Sequence, residues 1–299
     1  MNYIAVLFNS TIRSTTPILL AALGCAVCSQ SGVFNIALEG QLLIGSFAAI
    51  AADYYTQNVF LAVLIGMLAG TLVGVIVAIL QVKYHGADMV VGTSINLLVL
   101  GMTSLLLDVL FGVRGKFVDP TLKSLHKINL PLIRDIPFLG RMVENLTIVD
   151  YLSYIMAVLL FLYLYRTVSG FHVRSVGINE EAASSMGINP TRERMKMVIL
   201  SGALCGLGGA VLSVGQVTMF LENMTSGRGY IAMAASSMGA SHPVFIMITS
   251  LFFGIAQAVG SAIQNTVPAQ ITMAIPYTAT ILALMVTYRK NTKTKKSLG

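Results

Sequence analysis

The chain has 299 residues, of which 56% are hydrophobic and only 10% are charged. A soluble domain carries about 25% charged residues, so this composition, with a mean hydropathy of +0.80, excludes an ordinary soluble protein. The net charge of +7 fits basic loops that face anionic lipid, and we do not expect nucleic-acid binding.

Long apolar segments follow one another along the chain and predict membrane-spanning helices. About 20 apolar residues cross a bilayer core as a helix, and a backbone in lipid has to satisfy its own hydrogen bonds. We therefore predict an all-α membrane protein, a polytopic bundle of about eight to nine transmembrane helices in one domain over 1–299. The predicted spans are Thr16–Ser29, Ile36–Ala52, Phe60–Val82, Val91–Phe111, Thr147–Tyr165, Met197–Val214, Arg228–Met238, Val244–Ile263 and Ile271–Tyr288.

Two of these spans, Thr16–Ser29 and Arg228–Met238, are short, and glycine and polar residues interrupt the approaches to both. Broken helices commonly build a solute path at mid-membrane, whereas a helix end or re-entrant turn has a structural role only; both interpretations stay open. The segment Asn2–Arg13 is amphipathic and is expected to lie at the membrane interface. In the third span, Gly66, Gly70 and Gly74 share one helix face and predict close contact with another helix.

Lysine and arginine residues in the loops predict the orientation. The basic tail 289–299 is expected in the cytoplasm, and nine crossings counted back place the N-terminus outside and the basic loop 166–196 inside. The loop 113–146 then lies outside although it contains six Lys and Arg residues, which conflicts with the rule. We retain the orientation because the tail and the central loop agree. The external loop either docks a partner with acidic patches or caps the bundle.

The sequence lacks the motifs that would indicate nucleotide binding or metal-dependent hydrolysis. There is no phosphate-binding Gly-x4-Gly-Lys-Ser/Thr loop and no His-Glu-x-x-His pair. Single histidines fall in separate predicted loops, and Cys25, Cys28 and Cys205 lie in apolar stretches that suit packing. We expect no catalytic residue, no metal site and no cofactor in this chain.

A few polar residues lie in apolar surroundings, where they usually face a cavity or a partner. Asn35 and Glu39 are four residues apart, which would place them on one helix face close to a glycine-flanked helix start. They either line a solute path or stabilise a helix junction. Asn96 either lines the path or bonds to another helix, because a buried amide needs partners.

The central loop 170–193 contains a predicted short helix. Asn179 is placed to cap it, acidic residues follow in its first turn, and Gly187 would end it. Small apolar residues give the helix one apolar side. Such a helix fits a groove on another protein, or it simply connects two spans along the membrane surface.

Four stretches carry a resemblance to a known family. They are Thr16–Gly24 leading into Ser31–Gly40, Val91–Leu98, Val176–Pro190 with Ser201–Leu207, and Gly227–Ala234. In these stretches, which occur in the same order, the sequence resembles permeases of the branched-chain amino acid/ribose-type ABC importer family, and most closely its nucleoside (simple-sugar) branch.

The resemblance implies a permease domain that catalyses nothing and pairs with a second permease subunit in a bacterial inner (plasma) membrane. Two ATPase subunits, which use ATP and Mg²⁺, would bind on the cytoplasmic face, and an external solute-binding lipoprotein would deliver the solute. The short helix in the loop 170–193 would match the family's coupling helix, and Val33–Gly40 its broken-helix region near the path. The candidate coupling residues are Asn179, Glu180, Glu181, Ala182, Ala183 and Gly187.

We expect nucleosides to be the solute, with simple sugars and riboflavin as alternatives. A stand-alone secondary transporter is the main rival class, and it needs an intramembrane ion or proton relay, for which Glu39 is the candidate. An intramembrane enzyme is the third class.

Overall fold

The computed structural model describes residues 2–128 and 146–264, together with the single helical positions Thr278 and Met285. Within these ranges it is mostly helical. The helices are α1 (Asn2–Gln30), α2 (Leu38–Thr56), α3 (Val59–Ala78), α4 (Asp88–Phe111), α5 (Ile148–Arg166), α6 (Val168–Ile178), α7 (Glu180–Ser185), α8 (Pro190–Ala210), α9 (Arg228–Met238) and α10 (Pro243–Ile263). Two π-helical turns, Ile79–Lys83 and Val211–Val217, continue α3 and α8.

Six helices of the described ranges are long and apolar enough to cross a membrane by length and composition: α1, α3, α4, α5, α8 and α10. The chain is therefore a polytopic helical membrane protein, as predicted. Helices α2 and α9 are outside this set, and α9 has only 11 residues. Apart from the single positions Thr278 and Met285, the predicted span Ile271–Tyr288 and the tail 289–299 lie outside the described residues. The count of eight to nine crossings stays a prediction.

The prediction of a short first span is wrong. Helix α1 runs unbroken from Asn2 to Gln30 with Pro17 inside it, so the segment expected at the interface is the first part of a long helix. From Ile18 to Cys28 its apolar side chains are at most 1% exposed, which makes α1 one of the central helices of the bundle. The sequence misleads here because Pro17, a residue that usually breaks a helix, is accommodated: the carbonyl of Arg13 that it leaves without an N–H accepts from Gln216 in the π-helical turn after α8.

Glycines hold α3 against α8, as the spacing predicts. A Cβ added at Gly70 would stand 2.5 Å from the carbonyl oxygen of Gly202 and 2.5 Å from the Cα of Gly206. Gly74 also lies against Gly202 of α8, whereas Gly66 lies against both Gly45 of α2 and Ala210 of α8. In lipid, such close backbone approach supplies the packing that drives helix association.

Large apolar side chains point outward along the bundle. Leu72, Leu97, Val109 and Ile248 are 62%, 70%, 71% and 64% exposed. A soluble protein seldom exposes so extensive an apolar surface, so these faces of α3, α4 and α10 suit lipid or a second membrane subunit.

One end of the bundle is closed by short strands. Strand β1 (Lys116–Phe117) pairs antiparallel with β4 (Phe220–Leu221), and β2 (Lys127–Ile128) pairs with β3 (Leu146–Thr147). The main-chain N–H of Lys123 donates to the buried carboxylate of Asp53 (2.7 Å), which ties this loop to the end of α2. The described part of the loop 113–146 thus caps the bundle, one of the two roles considered for it.

The opposite end is formed by α6, α7 and the start of α8. Gly177 lies against the end of α1, since a Cβ there would stand 2.2 Å from the carbonyl oxygen of Gln30. Helix α8 runs from this end, beside α7, to the end that carries β4. The two groups of loops therefore lie on opposite faces of the bundle.

Candidate functional site: a cavity in the bundle and a helix at its opposite end

Glu39 joins the first turn of α2 to the N-terminus of α9. Its carboxylate accepts hydrogen bonds from the hydroxyl of Thr225 (2.5 Å) and from the main-chain N–H groups of Gly227 (2.8 Å) and Gly229 (2.7 Å). A helix N-terminus carries a partial positive charge, so an anion there is stabilised. Both carboxylate oxygens are engaged, and this geometry favours the helix-junction interpretation of Glu39.

Asn96 on α4 binds the same region. Its side-chain oxygen accepts from the main-chain N–H of Gly40 (2.8 Å), and its amide nitrogen donates to the carbonyl of Ile36 (3.0 Å). The amide also donates to the hydroxyl of Tyr230 on α9 (3.2 Å). Asn96 thereby bonds α4 to both α2 and α9, and it also faces the cavity described below.

Asn35 does not share a helix face with Glu39, contrary to the prediction. Helix α2 begins at Leu38, so the four-residue spacing of a helix does not apply to Asn35. Its side chain is fully buried and donates to Ser201 (3.0 Å) on α8 and to Gln41 (3.2 Å). Asn35 fixes the non-helical segment that precedes α2 and does not line the cavity.

A cavity of about 720 Å³ lies among α2, α4, α9 and α10. Its wall includes Glu39, Asn96, Tyr230 and Gln257, and residues of the turn 222–226 line its edge. This turn directly follows β4, so the cavity lies toward the strand-capped end of the bundle. Ligand pockets commonly measure about 300–1,000 Å³, and the cavity is large enough for a small polar solute.

Sequence reasoning missed the polar stripe that α10 contributes. Gln257, Ser261 and Gln264 all line the cavity at helical spacings of four and three residues. The same spacing was visible in the sequence, in a span with no charged residue. The hydrogen bonds of Tyr230 with Asn96 and of Thr225 with Glu39 could not be predicted from spacing, because they depend on how α9 packs against α2 and α4.

The short helix predicted within 170–193 is α7, but the same stretch also contains most of α6 and the start of α8. The side chain of Asn179 accepts from the main-chain N–H of Ala182 (3.0 Å), and Gly187 takes a left-handed φ of +80° just after the helix. Glu180 forms an ion pair with Arg194 (2.7 Å). The guanidinium of Arg194 also donates to the carbonyl of Ser31 (3.2 Å), which connects α7 to the segment between α1 and α2.

The side chains of α7 divide into two sets. Ala183 is only 3% exposed and packs inward, so it cannot form part of an outer contact surface. All the other residues of α7, Glu181 and Ala182 among them, are exposed. Ile178, the last residue of α6, and Met186, just after α7, are 87% and 80% exposed. The outward side of α7 thus carries acidic and small polar side chains, with an exposed apolar residue at each end.

No group of three or more His, Cys, Asp or Glu side chains within the described ranges could hold a metal ion. The three cysteines, Cys25, Cys28 and Cys205, are buried and free.

Known proteins resemble this chain over nearly its whole length. Residues 7–286 match the family model described as branched-chain amino acid transport system / permease component. The guanosine ABC transporter permease protein NupQ of Bacillus subtilis is 32% identical over 293 residues, covering 94% of this chain and 91% of that protein. The nucleoside ABC transporter permease protein NupC of Lactococcus lactis is 29% identical, covering 95% and 92%.

A putative glucose ABC transporter permease protein, TsgC13 of Haloferax volcanii, is 27% identical and covers 86% of this chain and 78% of its own length. No solved structure matches the chain. On the family match and these relatives, the chain belongs to the family of permease components of branched-chain amino acid transport systems.

Proposed function

We propose that this chain is the permease subunit of an ATP-driven importer for nucleosides and that the cavity among α2, α4, α9 and α10 is part of the solute path. The observation that carries the proposal is this cavity of about 720 Å³ inside a helical membrane bundle, with polar side chains such as Asn96 and Gln257 in a partly apolar wall. The two relatives that cover more than nine-tenths of the chain are named for guanosine and nucleoside transport, which supports the choice of solute.

The chain is a permease component and not an enzyme, and the energy for import comes from a separate ATPase subunit. We assign the contact with that ATPase to the outward side of α7. Ala182 on this side and the exposed apolar residues at the two ends of α7, Ile178 and Met186, suit a groove on another protein, and Glu181 beside them is exposed. Of the six predicted coupling residues, we assign the direct contact to Glu181 and Ala182, which are exposed; Asn179 caps the helix and Gly187 follows its end.

The proposal also includes the orientation of the chain in the membrane and the remaining partners. The face with α7 and the tail 289–299 lies in the cytoplasm, and the strand-capped face lies outside. A solute-binding lipoprotein delivers the nucleoside to the outer face, and a second permease subunit completes the pore in a bacterial plasma membrane. Binding of ATP moves α7, and the bundle alternates between outward and inward access.

Two alternatives are distinguished by specific observations. Simple sugars are the alternative solute, because the relative from Haloferax volcanii is named for glucose; riboflavin is a further ring-bearing candidate. A stand-alone secondary transporter needs a carboxylate free to exchange a proton or ion. Glu39 does not favour that class, since three donors from α9 and the preceding turn occupy its oxygens.

The direct test is uptake by the reconstituted importer. The permease, its ATPase, the second permease subunit and the binding lipoprotein are placed in proteoliposomes, and uptake of labelled guanosine, adenosine, uridine and ribose is measured with and without ATP. We expect ATP-dependent nucleoside uptake that ribose does not compete away. Uptake by the permease alone, driven by a gradient, would overturn the proposal.

The contact at α7 is tested in the same system. Glu181→Arg is expected to reduce ATP-driven uptake strongly while the protein still inserts into the membrane. Thr191→Arg, which places the same charge on an exposed position just beyond α7, serves as the control. If the two variants take up nucleoside equally well, the assignment of α7 as the contact with the ATPase is wrong.

A further inference from the structure

The three charged side chains in the cavity wall are all bound by the protein itself. Glu39 is held by α9, and Glu222 accepts from the main-chain N–H of Gly115 (3.0 Å). Arg228 donates to the carbonyls of Met224 (2.9 Å) and Thr225 (3.2 Å). The charged groups of the described wall are therefore two carboxylates and one guanidinium. Because this excess of negative charge repels an anionic phosphate group, the wall is suited to a neutral solute.

Tyr230 is the aromatic side chain in this wall. It lies in the first turn of α9 and is 45% exposed, while its hydroxyl accepts from the amide of Asn96 (3.2 Å). Asn96 is itself fixed by bonds to the main chain before and within α2. The ring thus has a held position, and part of its surface is open.

Gln257 on α10 has a polar atom without a partner. Its side-chain carbonyl oxygen is buried and accepts no hydrogen bond from the described part of the chain, although the residue lines the cavity. A buried unpaired oxygen costs about 1–3 kcal/mol. A rotation of the amide presents either an acceptor or a donor to the cavity, so a ligand with both kinds of group at one edge can satisfy it.

From these contacts we propose that the cavity recognises the nucleobase of a nucleoside. The base stacks on the ring of Tyr230, which Asn96 orients, and the amide of Gln257 pairs with the polar edge of the base. A nucleobase has an aromatic face and an edge with adjacent donors and acceptors, whereas a simple sugar has no such face. The inference rests on the proposed function and refines it: nucleosides are accepted, and nucleotides and free sugars are not.

Fluorescence can test the stacking directly because the chain contains no tryptophan. Tyr230→Trp keeps an aromatic surface at this position and makes it the single tryptophan of the full-length permease. We expect guanosine and adenosine to quench this fluorescence saturably, and ribose and guanosine monophosphate to leave it unchanged. Phe252→Trp places the reporter on an exposed position of α10 that does not line the cavity, and its fluorescence should not respond.

Two further pairs of variants separate the roles of the residues, with nucleoside binding to the purified wild type and variants measured by calorimetry. Tyr230→Leu should weaken nucleoside binding roughly 5- to 150-fold, the range for loss of base stacking. Tyr230→Phe keeps the ring and should cost much less. Gln257→Leu should weaken binding roughly 2- to 12-fold, the value of one hydrogen bond, and Gln264→Leu, at the end of the same stripe, should have a smaller effect.

The outcomes distinguish this inference from the proposed function. If the wild-type importer takes up nucleosides but Tyr230→Leu and Gln257→Leu bind them normally, base recognition in this cavity is wrong and the proposed function stands. If ribose quenches the fluorescence of the Tyr230→Trp protein as strongly as guanosine does, the cavity recognises the sugar and not the base. If the wild-type importer takes up no nucleoside, the proposed function itself fails.

Discussion

The side-chain amide of Gln216 donates a hydrogen bond to the main-chain carbonyl of Arg13. In a regular helix that carbonyl would accept from the N–H of residue 17, but Pro17 has none. The guanidinium of Arg13 donates in return to the carbonyl of Gln216 (3.3 Å), inside the π-helical turn that ends α8. The irregular points of α1 and α8 therefore satisfy each other, and a proline is tolerated inside a central helix.

This pairing predicts a coupling between two substitutions. Gln216→Leu leaves the Arg13 carbonyl without its partner and should destabilise the protein by about 1–3 kcal/mol. Pro17→Ala restores an N–H to that carbonyl, so Gln216→Leu should cost clearly less in the Pro17→Ala protein. The thermal unfolding midpoints of the wild type, both single variants and the double variant in detergent give the coupling. Strictly additive shifts would show that the two residues do not share this carbonyl.

The glycine contact between α3 and α8 gives a second prediction. Gly70→Ala would force a methyl group to 2.5 Å from the backbone of α8, and overpacking of this kind costs about 1–3 kcal/mol. Gly101→Ala is the matched control, because a Cβ on this glycine of α4 meets nothing within 4 Å. The unfolding midpoint should fall for Gly70→Ala and stay level or rise slightly for Gly101→Ala. Similar midpoints for the two variants would argue against close packing at Gly70.

Local patterns in the sequence were sufficient for several of these features. The spacing of Gly66, Gly70 and Gly74 predicted the close helix contact, and Asn179 with Gly187 predicted the bounds of α7 to within about two residues. These predictions are correct because each feature is determined by residues within one turn or on one face of a single helix. Periodic and capping signals act over three to seven residues.

The predictions that were wrong concern features that depend on contacts between residues distant in sequence. Asn35 and Glu39 have helical spacing, yet α2 starts between them, because Asn35 bonds to Ser201 on α8. The continuity of α1 through Pro17 depends on Gln216, about 200 residues later in the chain. Neither partner can be read from local sequence, because each is set by how the helices pack.

The junction at Glu39 predicts a stability defect more than a transport defect. Glu39→Gln replaces one acceptor oxygen by an NH2 group that would face a main-chain N–H or the Thr225 hydroxyl. Hydrogen bonds to a charged group contribute about 1.5–3 kcal/mol each, so the unfolding midpoint and the amount of folded protein in the membrane should fall markedly.

Glu222→Gln is the control for this change, because Glu222 is exposed and accepts one main-chain N–H. It should shift the free energy of unfolding by about 0.5 kcal/mol or less. A Glu39→Gln protein that is as stable as the wild type but takes up no solute would instead give Glu39 a direct role in transport.

Arg194 links the proposed ATPase contact to the region that leads into the cavity. It binds Glu180 on α7 and the carbonyl of Ser31, and Ser31 begins the segment that ends at α2 and Glu39. Arg194→Gln removes the ion pair, so α7 can move without moving this segment. We expect the reconstituted complex to keep hydrolysing ATP while the solute transported per ATP falls several-fold. Arg192→Gln removes a neighbouring exposed charge and should leave this ratio unchanged, and an unchanged ratio in Arg194→Gln as well would mean that movement of α7 reaches the cavity through α8 and not through Ser31.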